Sequence, residues 1–138
     1  MRAARPEEYG WIIERTGLLP TSNTGVLCAV DDSGRIVGQF AGQGWTPNSV
    51  IVAIAVDEPI ALRPLLSEAF RWVFVQAKRG VAFATILATN ERSIRLCKRL
   101  GFREVCRVEN GHAVGVDMVL MQLRREWWRA SSLERKAA

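Results

Sequence analysis

The side chains able to carry a proton between reacting groups are few and scattered along the chain. There is one histidine, His112, and three cysteines, Cys28, Cys97 and Cys106. An odd number of thiols without a CxxC pair, beside a single imidazole, argues against a structural zinc site and for reduced cysteines. Bases are offered by Asp57 and Glu58, which follow an apolar run, by Glu109 and His112, which flank Gly111, and by Asp117. Asp117 alternates with Val119 and Met121, so its carboxylate is expected in an apolar context that would perturb its pKa. An imidazole with an intrinsic pKa near 6.5 suits a base, and a free thiol near 8.5 can act as an acid. Cys97 reads equally as a small buried hydrophobe, since it falls on the apolar face of a helical pattern. These residue types leave the base and the acid open.

The elements that would position them follow from periodicity and punctuation. Pro6-Glu7-Glu8 opens a helix whose apolar face is Tyr9, Ile12, Ile13 and Thr16, with Gly17 as its stop. Val26–Val30 reads as a buried strand, Asp31–Gly34 as a turn, and Arg35–Thr46 as the return strand. Its glycines 38, 42 and 44 predict bulges or close backbone approach. Ser49–Val56 is apolar on both faces and reads as a central strand. From Ala61 to Lys78 the spacing turns helical, along Leu62, Leu65, Leu66, Ala69, Phe70, Val73 and Ala77, with Gly80 as the cap. Val81–Leu87 is strand-like. Asn90 caps a helix carrying Ile94, Leu96, Cys97 and Leu100, which Gly101 ends. Phe102–Val108 and Ala113–Leu123 are expected to form a hairpin around Asn110-Gly111. The chain of 138 residues reads as one α/β domain, with a basic tail over about 124–138.

Within this pattern, Asn90-Glu-Arg-Ser-Ile-Arg-Leu-Cys-Lys-Arg-Leu-Gly101-Phe102 resembles the signature of the GNAT acyltransferases, N-x-x-[AS]-x-x-[LF]-[YC]-x-[KR]-x-G-F. The stretch 119–127, VLMQLRREW, resembles the closing strand and tail of the Rim-type branch, which acetylates protein N-termini. The resemblance implies a mixed α/β sheet of the GNAT type, here without the usual first strand and with a shortened N-terminal helical region. It further implies acetyl-CoA as co-substrate and a primary amine as acceptor. The pantetheine arm would pair with Ile54, Ala55 and Val56. Asn90, Ser93 and Cys97 lie where the family places the arm and thiol, and Cys97 takes the place of the tyrosine that commonly protonates the departing thiolate. Base candidates by resemblance are Asp57 and Glu58, at the end of the fourth strand, and Asp117.

The family's phosphate loop, [RQ]-x-x-G-x-[GA], is replaced by Val56-Asp-Glu-Pro-Ile-Ala-Leu-Arg-Pro-Leu-Leu66, which has no glycine. Cofactor binding would then rest on N–H groups of a helix starting around Leu62–Leu65 and on the charge of Arg63, with Arg92, Arg95 or Arg99 as further contacts to phosphate. A loss of cofactor binding, leaving a GNAT-shaped regulatory module, is the other reading.

Charge is unevenly placed. The net charge of +5 combines +4 over residues 91–107, with six basic and two acidic groups, +3 over 124–138, with five and two, and −2 over the rest of the chain. Such patches serve an anionic ligand, a nucleic acid, an acidic partner or simply solvation. Trp127 and Trp128 in the tail either stack on a nucleic acid or close the core or a dimer seam. A homodimer would cover the edge left by the missing first strand. The longest apolar run, Ser49–Val56, is too short to span a membrane, and no secretory leader is evident, so a cytoplasmic setting is expected.

Overall fold

A computed structural model describes residues 1–129. It divides into two compact units, Met1–Arg79 and Gly80–Ala138.

The first unit is an antiparallel sheet with a helix on each face. Strands β1 (Arg2–Ala3), β2 (Gly25–Val30), β3 (Ile36–Gln43) and β4 (Ser49–Val56) pair in sequence order. The expected absence of a first strand is therefore corrected: Arg2 pairs with Cys28 and Ala3 with Leu27. Two residues carry no period, so only the pairing reveals them. The short opening helix Pro6–Glu8 leads into α1 (Gly10–Thr16), ended by Gly17 at φ 72°. Ile12 of α1 is buried against Val26 and Ala41, which are cross-strand neighbours. Beside them Gln39 is fully buried, donating through Nε2 to the Glu8 carbonyl (3.1 Å) and to Cys28 Sγ (3.2 Å). Glu8 in turn accepts both terminal nitrogens of Arg2 at 2.8 Å, which fastens β1 to the helical segment.

The opposite face is covered by α2 (Pro59–Arg71), whose Leu65, Leu66, Ala69 and Phe70 are buried. Phe70 meets Phe40 of β3 edge-on at 5.4 Å between ring centroids. The glycines of β3 produce the close approach expected of them, and the register shifts beside Gly38, where Ala29 pairs with Gly38 but Val30 with Ile36, so that β3 carries one extra residue there. A Cβ on Gly38 would lie 3.2 Å from Leu65 Cδ2. Gly25 and Gly42 are directly opposed, and together they seat the Trp72 indole, whose Cη2 lies 3.0 and 3.5 Å from where their Cβ atoms would be. Helix α2 continues as a π turn over Trp72–Gln76, closed by the Ala77 N–H donating to the Trp72 carbonyl at 2.8 Å. The chain leaves it through Lys78 in the left-handed region (φ 56°), so Lys78, not Gly80, makes the exit.

The second unit has strands β5 (Val81–Leu87), β6 (Arg103–Ala113) and β7 (Val116–Arg124), antiparallel, with β7 in the middle. Helix α3 (Glu91–Leu100) is capped as its sequence predicts: Asn90 Oδ1 accepts the Ser93 N–H at 3.2 Å, and Gly101 takes φ 106°. A short α4 (Arg125–Arg129) closes the described chain. Val119, Met121 and Leu123 alternate along β7 and are fully buried, as is Trp128. The hairpin turn differs from expectation. It falls at Val114-Gly115, with Gly115 at φ 81°, and Asn110-Gly111 lies inside an irregular stretch of β6. Side-chain hydrogen bonds hold this arrangement: Asn110 Oδ1 accepts the Gly115 N–H at 2.7 Å, and Asp117 Oδ1 accepts the Asn110 N–H at 3.0 Å. No helix among the described residues is long and apolar enough to cross a membrane.

Candidate active site

In the first unit the candidate residues gather where β4 runs into α2. Ile54, Ala55 and Val56 are half-buried at the end of β4, paired with Phe40, Gln39 and Gly38 of β3. The start of α2 corrects the expected set of donors. The helix begins at Pro59, so Leu62 and Arg63 lie within it and Leu65 is a fully buried core residue. By helix geometry the N–H groups without intrahelical partners belong to Glu58 and Ile60, because Pro59 has none and Ala61 bonds the Glu58 carbonyl at 2.9 Å. Pro64 removes a further donor from inside the helix, toward Ile60. Arg63 is exposed and makes no ion pair among the described residues, so its charge is available to a ligand.

Asp57 and Glu58 occupy different environments. Asp57 is gripped by Arg15 of α1 in a two-bond fork, Nε to Oδ1 at 2.9 Å and Nη2 to Oδ2 at 2.8 Å. Hydrogen bonding to Arg15 holds its carboxyl below the ordinary aspartate range, which makes it a weaker base. The same guanidinium donates to the Trp11 carbonyl at 2.8 Å and lies 3.6 Å over the Trp11 ring. This fork joins residues 42 positions apart and was not visible in the sequence, although the four-residue spacing of Trp11 and Arg15 suits a stacked pair on one helix face. Glu58 is more loosely held, with Arg35 Nη2 at 3.8 Å from its Oε1.

In the second unit the signature residues build the helix. Asn90 spends its side-chain oxygen on the cap, where the Ser93 N–H donates to it, and Ile94 and Cys97 are buried. Burial pushes the Cys97 thiol up to about 11, above a free thiol's value, so it stays protonated and is a weaker acid than an ordinary thiol. Arg92, Arg95 and Arg99 are exposed, and Arg95 lies 3.9 Å from Glu91. Asp117 is exposed and engaged with the Asn110 backbone, so its carboxylate shapes the hairpin. Glu109 and His112 are exposed in the same irregular stretch. Trp127 lies under the Arg103 guanidinium at 3.9 Å, and with Trp128 buried the tail's aromatics serve packing; the tail from 130 lies outside the described residues.

No family model matches the chain, and no curated relative does. Solved structures do match. Mutant forms of the spermidine/spermine N-acetyltransferase SpeG from Vibrio cholerae give a TM-score of 0.80 at 12% identity, covering 95% of this chain and 97% of that one. A protein proposed to be a phosphinothricin N-acetyltransferase gives a TM-score of 0.70 at 18% identity, covering 89% of this chain and 96% of that one. The chain therefore has the GNAT acetyltransferase fold.

Proposed function

We propose that this protein is an N-acetyltransferase that carries an acetyl group from acetyl-CoA to a primary amine by direct attack. The observation that carries this reading is the fold shared, nearly end to end, with N-acetyltransferases. The residues present fit the cofactor by charge rather than by a backbone cradle. Arg63, in the first turns of α2, makes no ion pair among the described residues, and the half-buried end of β4 at Ile54–Val56 offers strand-like pairing to an amide-bearing arm. Acetyl-CoA supplies an activated acyl group with a good leaving thiol.

What remains for the chain is to hold the amine neutral and to manage one proton. Glu58 is the freer of the two carboxylates after β4 and takes the role of base, with Asp57 fixing α1 to the strand end through Arg15. Cys97, at about 11, lies too far above a free thiol near 8.5 to donate readily, so solvent protonates the departing thiolate. Asn90 and Ser93 contribute by shaping the start of α3. Leu62 and Leu65 contribute by seating α2, and Asp117 by holding the hairpin.

The second reading, a GNAT-shaped module without catalysis, draws on the same segment: it has no glycine, and Pro59 removes a donor at the helix start. Titration calorimetry with acetyl-CoA and CoA, followed by thiol release with a panel of primary amines, separates the two. Binding with amine-dependent thiol release supports the enzyme, and Arg63→Ala should then weaken binding in a salt-sensitive way. Absence of binding at millimolar cofactor supports the module and removes the enzyme. Binding without release for any amine keeps the cofactor site and removes the proposed reaction. In an active enzyme, Glu58→Gln should lower kcat/KM most on the acidic side, where the free amine is scarcest.

A further inference from the structure

The first unit holds a concavity formed by β1, the start of β2 and the last turns of α2. It is a cleft of about 340 Å3, within the size range of small-molecule sites. Its floor is apolar, from Ala3, Ala4, Gly25 and Leu27, and its aromatic surface comes from Tyr9 and Trp72.

Three features of this cleft point to one class of ligand. First, its only ionisable groups are the Tyr9 phenol and a carboxylate. The Glu68 carboxylate makes no ion pair or hydrogen bond among the described residues, and no lysine, arginine or histidine lines the cleft. The Tyr9 hydroxyl already donates to the Thr24 carbonyl at 3.3 Å, so its oxygen faces a ligand as an acceptor. Second, Glu68, Trp72 and Gln76 follow one another at four-residue spacing, which places them along one line of the helix. The π turn beginning at Trp72 governs the last of these steps, and such turns recur at functional sites. Third, the indole is rigid. It rests on the opposed glycines 25 and 42 and is braced edge-on by Phe40 at 6.2 Å and Trp45 at 5.4 Å. A carboxylate without a counter-ion, beside fixed aromatic rings and an apolar floor, selects a compact cation with a hydrocarbon shell.

We propose that the cleft between β1, β2 and the end of α2 binds a small alkylammonium cation, held by Glu68 and by the aromatic side chains of Trp72 and Tyr9. The site differs from the candidate cofactor residues of the same unit. Thirteen residues of helix, about 20 Å at 1.5 Å per residue, separate Trp72 from the start of α2 at Pro59. The proposal does not depend on acetyl transfer.

The test follows the indole N–H resonance of Trp72, assigned by its loss in Trp72→Phe, during titration with choline. Dimethylbutanol, the uncharged carbon isostere of choline, is the matched control. A saturable choline shift is expected, with little response to the isostere. Glu68 is exposed, so Glu68→Gln should weaken choline binding roughly two- to five-fold, as loss of an exposed ion pair does, without changing Tm. The proposal is overturned by any of three results: no saturable shift up to tens of millimolar choline, an equal response to the isostere, or unchanged affinity in Glu68→Gln.

Discussion

Gly38 lies at the tightest backbone crossing of the first unit, and replacing it by alanine puts a number on that closeness. An ideal Cβ at this position would stand 2.9 Å from Val56 Cγ1, 3.2 Å from Leu65 Cδ2 and 3.4 Å from the Ala55 carbonyl oxygen. All three are below or at the lower edge of comfortable carbon contact. Neither side chain can swing away cheaply: Val56 is the cross-strand partner of Gly38, and Leu65 is a fully buried residue of α2. Overpacking of this kind costs about 1–3 kcal/mol. The lower entropy of the unfolded alanine chain returns roughly 0.4–1 kcal/mol. The net loss is then about 1–2 kcal/mol. With an unfolding entropy of roughly 2.1 cal/mol/K per residue, a chain of 138 residues should lose about 3–7 °C in Tm. Gly10→Ala is the internal control, because a Cβ there meets nothing within 4 Å and its φ is not positive. That variant should gain roughly 0.4–1 kcal/mol. Urea unfolding of both variants by circular dichroism measures the pair. Equal stability of the two variants, or a Gly38→Ala protein as stable as the parent, would refute the packing argument. Because Val56 ends β4, Gly38→Ala should also weaken acetyl-CoA binding if that strand end holds the cofactor arm.

Other expectations follow from the same structure. Of the three cysteines only Cys106 is exposed, so Ellman's reagent should titrate one thiol rapidly in the native protein and all three in urea; rapid reaction of Cys97 would contradict its burial and its thiol pKa of about 11. Hydrogen bonds from Arg2 and Arg15 hold Glu8 and Asp57 below the usual carboxylate range, so their contribution is complete above the unfolded values near 4 and fades as pH falls through the folded ones. The urea midpoint should accordingly drop on acidification below about pH 4, and less steeply in Glu8→Gln and Arg15→Gln; parallel profiles would reject the assignment. Lys78 bears a left-handed backbone, so Lys78→Gly should raise stability by about 0.5–1 kcal/mol, and a loss on thermal melting would show that its side-chain contacts outweigh the strain.

The parts of this fold that were legible in the sequence are those written in neighbouring residues. Asn90 and Gly101 bracket α3 as capping chemistry demands, and Gly17 stops α1. The glycines of β3 announced close approach, yet nothing local names Leu65 or Trp72 as the partner that needs the room. The hairpin turn was missed for a related reason. Asn110-Gly111 is the stronger local signal, but the side chains of Asn110 and Asp117 knit a longer loop and leave the reversal to Val114-Gly115. Helix α2 begins before its apolar stripe does, because Pro59 suits a first helical position irrespective of amphipathicity. At the candidate site the sequence pointed to the end of β4 and to the two acids that follow it. It could not separate Asp57, neutralised from α1 by Arg15, from Glu58, which is left freer.

The π turn at Trp72–Gln76 also bears on how this chain compares with others of its fold. A helix with the same end points but regular α geometry would need one residue fewer, so the turn behaves as a single inserted residue stored inside a helix rather than in a loop. A chain sharing the fold but lacking the turn should therefore align with a one-residue gap in this helix. Removing one residue here would advance the following side chains by about 100° around the axis, the angle of one α-helical step. Insertions are commonly sought in loops, and here the fold has kept one within its longest helical segment.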